Sequence, residues 1–183
     1  MRLISALNVI VQVVGLALIL TPHTVAIADP QPTLVLTSSA FDYGSRIPDG
    51  YTCSGYNKSP ALKWTGVPKG TRSLALILDD PDAPMGTFVH WVVYNLSPTS
   101  KGLPEGASTS ALVADGEQGT NGRGAIGYTG PCPPPGKPHH YHFHLYALDQ
   151  KLELKAGAAA QQLEAALKGH VLGNAELVGI FKR

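Results

Sequence analysis

From residue 33 onward, short apolar runs alternate with clusters of turn-forming residues. Thr33–Thr37 is a brief apolar run suited to a first strand. Phe41–Pro68 is turn-rich, with Tyr43-Gly44, Pro48-Asp49-Gly50 and Ser59-Pro60. Ser73–Asp79 is rich in Leu and Ile and flanked by turn residues, the pattern of a buried strand. Thr87–Leu96 carries Val, Trp and Tyr and reads as another strand, Tyr141–Leu148 as a third, and Glu176–Phe181 as a last one. One helix is predicted, over Ala158–Lys168. Ala159, Leu163, Ala166 and Leu167 share one face, and Gly169 supplies the stop. Strands dominate and do not alternate regularly with helices, which argues against a doubly wound α/β sheet.

The N-terminus has a different pattern. Arg2 precedes a mostly apolar stretch, Leu3–Leu20, broken by Ser5, Asn8 and Gln12, and Ala26-Ile27-Ala28 resembles a signal-cleavage site. Residues 1–28 are therefore expected to be a cleaved signal peptide. Residues 29–183 would be one domain, exported to a periplasm or secreted, with no stable membrane insertion after cleavage. A transmembrane anchor is the competing reading; the polar interruptions and borderline length count against it. No Cys follows the run, so lipoprotein-type attachment is not available. A length of 183 residues and a hydrophobic fraction of 44% fit one packed domain. The 20 Gly and 15 Pro fit a loop-rich β architecture. A net charge of +1 with no basic stripe gives no footprint for nucleic acid. Export makes the two cysteines informative. Cys53 and Cys132, an even pair in an oxidising compartment, are expected to form one disulfide; two buried thiols are the alternative.

Several segments carry candidate chemistry. Gly122-Arg123-Gly124-Ala125-Ile126-Gly127 matches a dinucleotide fingerprint literally, but the prolines at 131 and 133–135 cannot continue the helix that fingerprint needs. Asp79, Asp80 and Asp82 crowd the end of a predicted strand, as a turn or as a site. Paired carboxylates are also the means of acid–base hydrolysis. On Thr87–Leu96, alternation places Phe88, His90, Val92 and Tyr94 on one face and Val89, Trp91 and Val93 on the other. No Gly-x-Ser-x-Gly elbow is present, and a disulfide would leave no thiol nucleophile. In His139–His144, His139, Tyr141 and Phe143 share one strand face. His140, His142 and His144 share the other, a candidate metal-ligand set with no carboxylate placed beside it by sequence.

Four segments together resemble the phosphatidylethanolamine-binding protein family, also called Raf kinase inhibitor-like proteins. They are Ile47-Pro48 through Tyr51-Thr52-Cys53 to Trp64; Asp80-Pro81-Asp82-Ala83-Pro84 with His90-Trp91; Gly127–Pro134 with Gly136, His139, Tyr141 and Phe143; and Tyr146–Asp149 with Gly169–Leu172. The resemblance spans about 34–182. It implies a mainly β fold, with a large antiparallel sheet packed on a smaller one and peripheral helices, including one near 158–168. It also implies one small pocket for phosphate-like anions, including the phosphoethanolamine head group. That pocket would be built from Asp80, Asp82, His90, Gly130, Pro131, His139 and Tyr141. No cofactor and no catalytic activity are implied, and a protein target is compatible with the family. The Cys53–Cys132 bridge would brace the pocket rim, and Ala83-Pro84 is a candidate cis bond shaping its loop. His140 stands where the family often has Arg, which removes a fixed positive charge there. Two other functions stay open: a hydrolase using Asp80, Asp82, His90 and His139, and a metal-binding protein using His140, His142 and His144.

Overall fold

The computed structural model describes residues 33–107 and 110–183; the expected signal peptide and its cleavage site lie outside them. Among the described residues the elements run β1 (Val35–Ser38), β2 (Ser45–Arg46), β3 (Leu62–Thr65), β4 (Ser73–Asp80), β5 (Phe88–Leu96), β6 (Gly102–Leu103), β7 (Leu112–Val113), β8 (Gly116–Gln118), β9 (His139–Leu148), α1 (Ala160–Leu167) and β10 (Val171–Phe181). A 3-10 turn at Asp49–Tyr51 joins β2 to the segment before β3. The strands make a seven-stranded sheet, in the order β2-β10-β9-β4-β5-β8-β7, and a three-stranded sheet, β1-β3-β6. The large sheet is mixed. Two-residue β2 runs parallel to β10, pairing Ser45 with Gly179, while the other strand pairings of this sheet among the described residues are antiparallel, as expected.

Both faces of the large sheet are covered at its centre, which is why β4 is a nearly continuous apolar run. Leu74, Leu76 and Leu78 of β4, with Trp91, Val93, Phe143 and Leu145, meet Leu36, Leu62 and Trp64 of the small sheet in one core. Ala75 and Ile77, with Val92, Tyr94 and Leu148, pack under Leu163 and Leu167 of α1 in a second. Full burial of a Leu such as Leu163 contributes about 2–3 kcal/mol. The N-terminus of α1 is anchored by Gln162, whose Oε1 accepts from Ala159 N–H at 2.9 Å. The helix stops at Gly169, whose φ of +82° suits glycine.

One irregularity bears on function. Leu78 pairs with Trp91 but Asp79 pairs with Val89, so His90 is an extra, unpaired residue in β5. This β-bulge breaks the expected alternation. His90 leaves the face of Val92 and Tyr94 and packs edge-on against Tyr141, 5.2 Å between ring centres, on the face toward the small sheet. No peptide bond among the described residues is cis, so Ala83–Pro84 is trans.

Candidate anion site

At one end of the large sheet, alternation along β4 delivers Asp80 to the face that bears Leu74, Leu76 and Leu78. Asp80 is 3% exposed. Its Oδ1 accepts from Asp82 N–H at 2.9 Å, and its Oδ2 lies 2.8 Å from Nδ1 of His139, the first residue of β9. A carboxylate only accepts, so Nδ1 of His139 carries the proton and donates it. His90 Nδ1 lies 2.7 Å from the Thr129 carbonyl, which likewise only accepts. Both imidazoles therefore have Nδ1 committed and Nε2 without a partner among the described residues. Burial holds the His90 pKa below the ordinary histidine value, against the opposing pull of the Thr129 carbonyl and Asp80. Neutral His90 presents an acceptor at Nε2.

These groups border a cavity of about 170 Å³. Asp80, His90 and His139 form its polar side, and Ala83, Pro84, Phe88, Cys132, Pro133 and Pro134 form its apolar wall. Arg123 completes the lining and makes no ion pair among the described residues. Its position is set by Asn121, whose Oδ1 accepts from the N–H groups of Arg123 at 2.9 Å and Ala125 at 3.3 Å. The charge absent at position 140 is thus supplied from another loop. Behind His90, the fully buried Tyr141 hydroxyl lies near Asp80 without hydrogen-bond geometry to it and has no other partner among the described residues. Burial, reinforced by the Asp80 charge, raises its pKa and keeps it a donor.

The remaining expected site residues do not line this cavity. Asp82 turns to β9, where its Oδ2 accepts from His140 N–H at 2.8 Å and His140 Nδ1 at 2.7 Å; these bonds lower its pKa. Gly130 N–H donates to Asn57 Oδ1 at 2.7 Å, and a Cβ there would collide with the Tyr51 carbonyl. Close packing on the Tyr51–Cys53 turn, rather than approach of a ligand, makes residue 130 a glycine. The Pro131 carbonyl accepts from Cys53 N–H at 3.1 Å, beside the Cys53–Cys132 disulfide with its Cα–Cα distance of 5.3 Å. Gly130 and Pro131 hold the wall in place. Larger depressions exist, such as one of about 930 Å³ near Gly70 and Lys151, but no buried imidazole or carboxylate converges on it.

On the opposite face of the sheet the three histidines divide between two partners. His140 is engaged by Asp82, whereas His142 and His144 meet Glu176 of β10. The pairing of Glu176 with His144 across β9–β10 brings in a carboxylate that lies 32 positions away in sequence.

Comparison with known proteins agrees with this architecture. The family model for phosphatidylethanolamine-binding protein matches residues 37–182. The chain is 50% identical over 149 residues to a UPF0098 protein of Methanothermobacter thermautotrophicus, covering 81% of this chain and 98% of that one. It is similar in structure to a phosphatidylethanolamine-binding protein homologue of Chlamydia trachomatis, with a TM-score of 0.77, 43% identity and coverage of 83% and 99% of the two chains. E. coli YbcL, a member of the same family, also gives a TM-score of 0.77, at 32% identity and coverage of 82% and 98%. The chain belongs to the phosphatidylethanolamine-binding protein family.

Proposed function

We propose that the protein is an exported binding module for phosphate-type anions, including the phosphoethanolamine head group, that acts without catalysis and modulates a partner. The observation that carries this reading is the convergence of His90, His139 and the unpaired Arg123 on one small cavity. An arginine and two imidazoles with free Nε2 atoms supply the donors and acceptor that a partly protonated phosphate needs. Asp80 orients His139 through Oδ2, while its Oδ1 accepts from Asp82 N–H. The cavity lies well below the roughly 300 Å³ at which pockets enclose drug-sized ligands, which suits a head group rather than an acyl chain.

Binding is favoured over hydrolysis because no carboxylate or thiol is left free to act at the cavity. Asp80 is held by His139 and Asp82, Asp82 by His140, and Cys132 by Cys53. The disulfide also supports an oxidising destination.

Calorimetric titration with phosphate and phosphoethanolamine tests the proposal. Weak saturable binding is expected. His139→Ala should abolish it, and Arg123→Ala should weaken it about tenfold, the loss of one charge-assisted contact. Absence of binding at millimolar ligand, or release of phosphate from phosphoethanolamine, would overturn it.

A further inference from the structure

We propose that His142, His144 and Glu176 bind a zinc-class divalent cation on the helix-side face of the large sheet, apart from the anion cavity. His142 and His144 are two residues apart on β9, so both rings project from the same face, 5.7 Å apart and nearly parallel at 15°. Glu176 lies on the neighbouring strand β10, directly opposite His144. One ligand atom from each of the three lies within 4.8 Å of the others. Glu176 Oε1 is 2.9 Å from His142 Nδ1 and 3.6 Å from His144 Nδ1, so a single oxygen serves both imidazoles.

Asp79 makes this more than a pair of surface ion pairs. Its Oδ2 lies 3.5 Å from His144 Nε2, on the far side of the ring from Glu176. His144 thus has a carboxylate near each ring nitrogen, Asp79 on the Nε2 side and Glu176 on the Nδ1 side. A metal ion held at Nδ1 would engage both imidazoles and the Glu176 carboxylate together, with Asp79 behind the His144 ring. A carboxylate behind a ligating histidine is also the usual device for fixing its tautomer and orientation.

Two imidazoles and a carboxylate are a borderline donor set suited to zinc, with water free to complete the coordination. Zinc–nitrogen bonds of about 2.0–2.1 Å put tetrahedral ligands roughly 3.3 Å apart. The ligand atoms, within 4.8 Å of one another, must therefore draw together by up to about 1.5 Å. His142 and Glu176 have side chains 26% and 37% exposed and are free to do so. Asp79, and Glu164 on α1, add negative charge toward His144 that favours a cation.

The test is zinc titration of the purified, tag-free protein in competition with a chromophoric chelator. One zinc per chain at micromolar concentration is expected. His144→Ala and Glu176→Gln should each weaken it at least about tenfold, and Asp79→Asn should weaken it while keeping the stoichiometry. His170→Gln, which alters a separate exposed His–Asp pair, should leave affinity unchanged. Melting curves taken without metal establish that each variant is folded, and zinc should raise the melting temperature only where the three ligands are intact. Binding absent below millimolar zinc, or equally tight after His144→Ala and Glu176→Gln are combined, would overturn the proposal.

Discussion

His90 is 4% exposed and has its ring wedged between Phe88 and Tyr141. Its depressed pKa has a calculable consequence for stability. Above about pH 6.5 the ring is neutral in both folded and unfolded chains, and its contribution is fully present. As pH falls below that value the unfolded chain takes up a proton that the folded chain resists, so stability falls. His144 acts in the opposite sense: Asp79 raises its pKa, so its contribution is present at low pH and lost as pH rises through the folded value. Comparing wild type with His90→Gln isolates the first effect. Urea midpoints at about pH 7.5 and about pH 5.5 should show a larger loss in wild type than in the variant. Equal losses would mean that the buried ring does not resist protonation. At this scale, Asp80, His90 and His139 were legible because their segments carry family motifs. Arg123 and Glu176 were not. Each reaches its site through a loop or strand pairing remote in sequence.

Among the elements, the long strands and the helix were readable because each buries a continuous or periodic apolar face. The two-residue strands β2, β6 and β7 were not, since so short a segment has no measurable period. β3, with Leu62 and Trp64 buried and Lys63 and Thr65 exposed, alternates cleanly but sits inside a turn-rich stretch. β10 starts at Val171, five residues before the expected Glu176, because Gly173-Asn174 interrupts its first half, where Val171 and Leu172 are exposed. The bulge in β5 was invisible for a different reason: a residue's extra place appears only against the partner strand. The helix offers a test of how far the two faces of the sheet are separable. Leu163→Ala should cost about 2–5 kcal/mol of stability, read from denaturant unfolding, because Leu163 is fully buried. It should leave anion affinity unchanged, since α1 packs on the face away from the cavity. A matching loss of affinity would show that the faces are coupled.

For the whole molecule, the disulfide ties the Tyr51–Cys53 turn to the cavity wall. Cys53 and Cys132 are 79 positions apart, so the bridge closes a loop that contains β3 to β8. Replacing both with Ser should destabilise the fold by about 4–5 kcal/mol in the chain-entropy account. Because Cys132 lines the cavity, it should also weaken phosphoethanolamine binding. A loss below about 1 kcal/mol would show that the loop packing alone holds the wall. The layered architecture was foreseeable from the resemblance, but the parallel β2–β10 pairing was not, because it joins two short stretches from opposite ends of the domain.

The claim that matters most is that His90, His139 and Arg123 together hold an anion. Imidazole nitrogen spectra recorded during a phosphoethanolamine titration address it directly. Saturable shifts at Nε2 of His90 and His139, with His170 unmoved, are the predicted result. Unchanged spectra at those two rings, or shifts confined to His142 and His144, would contradict it.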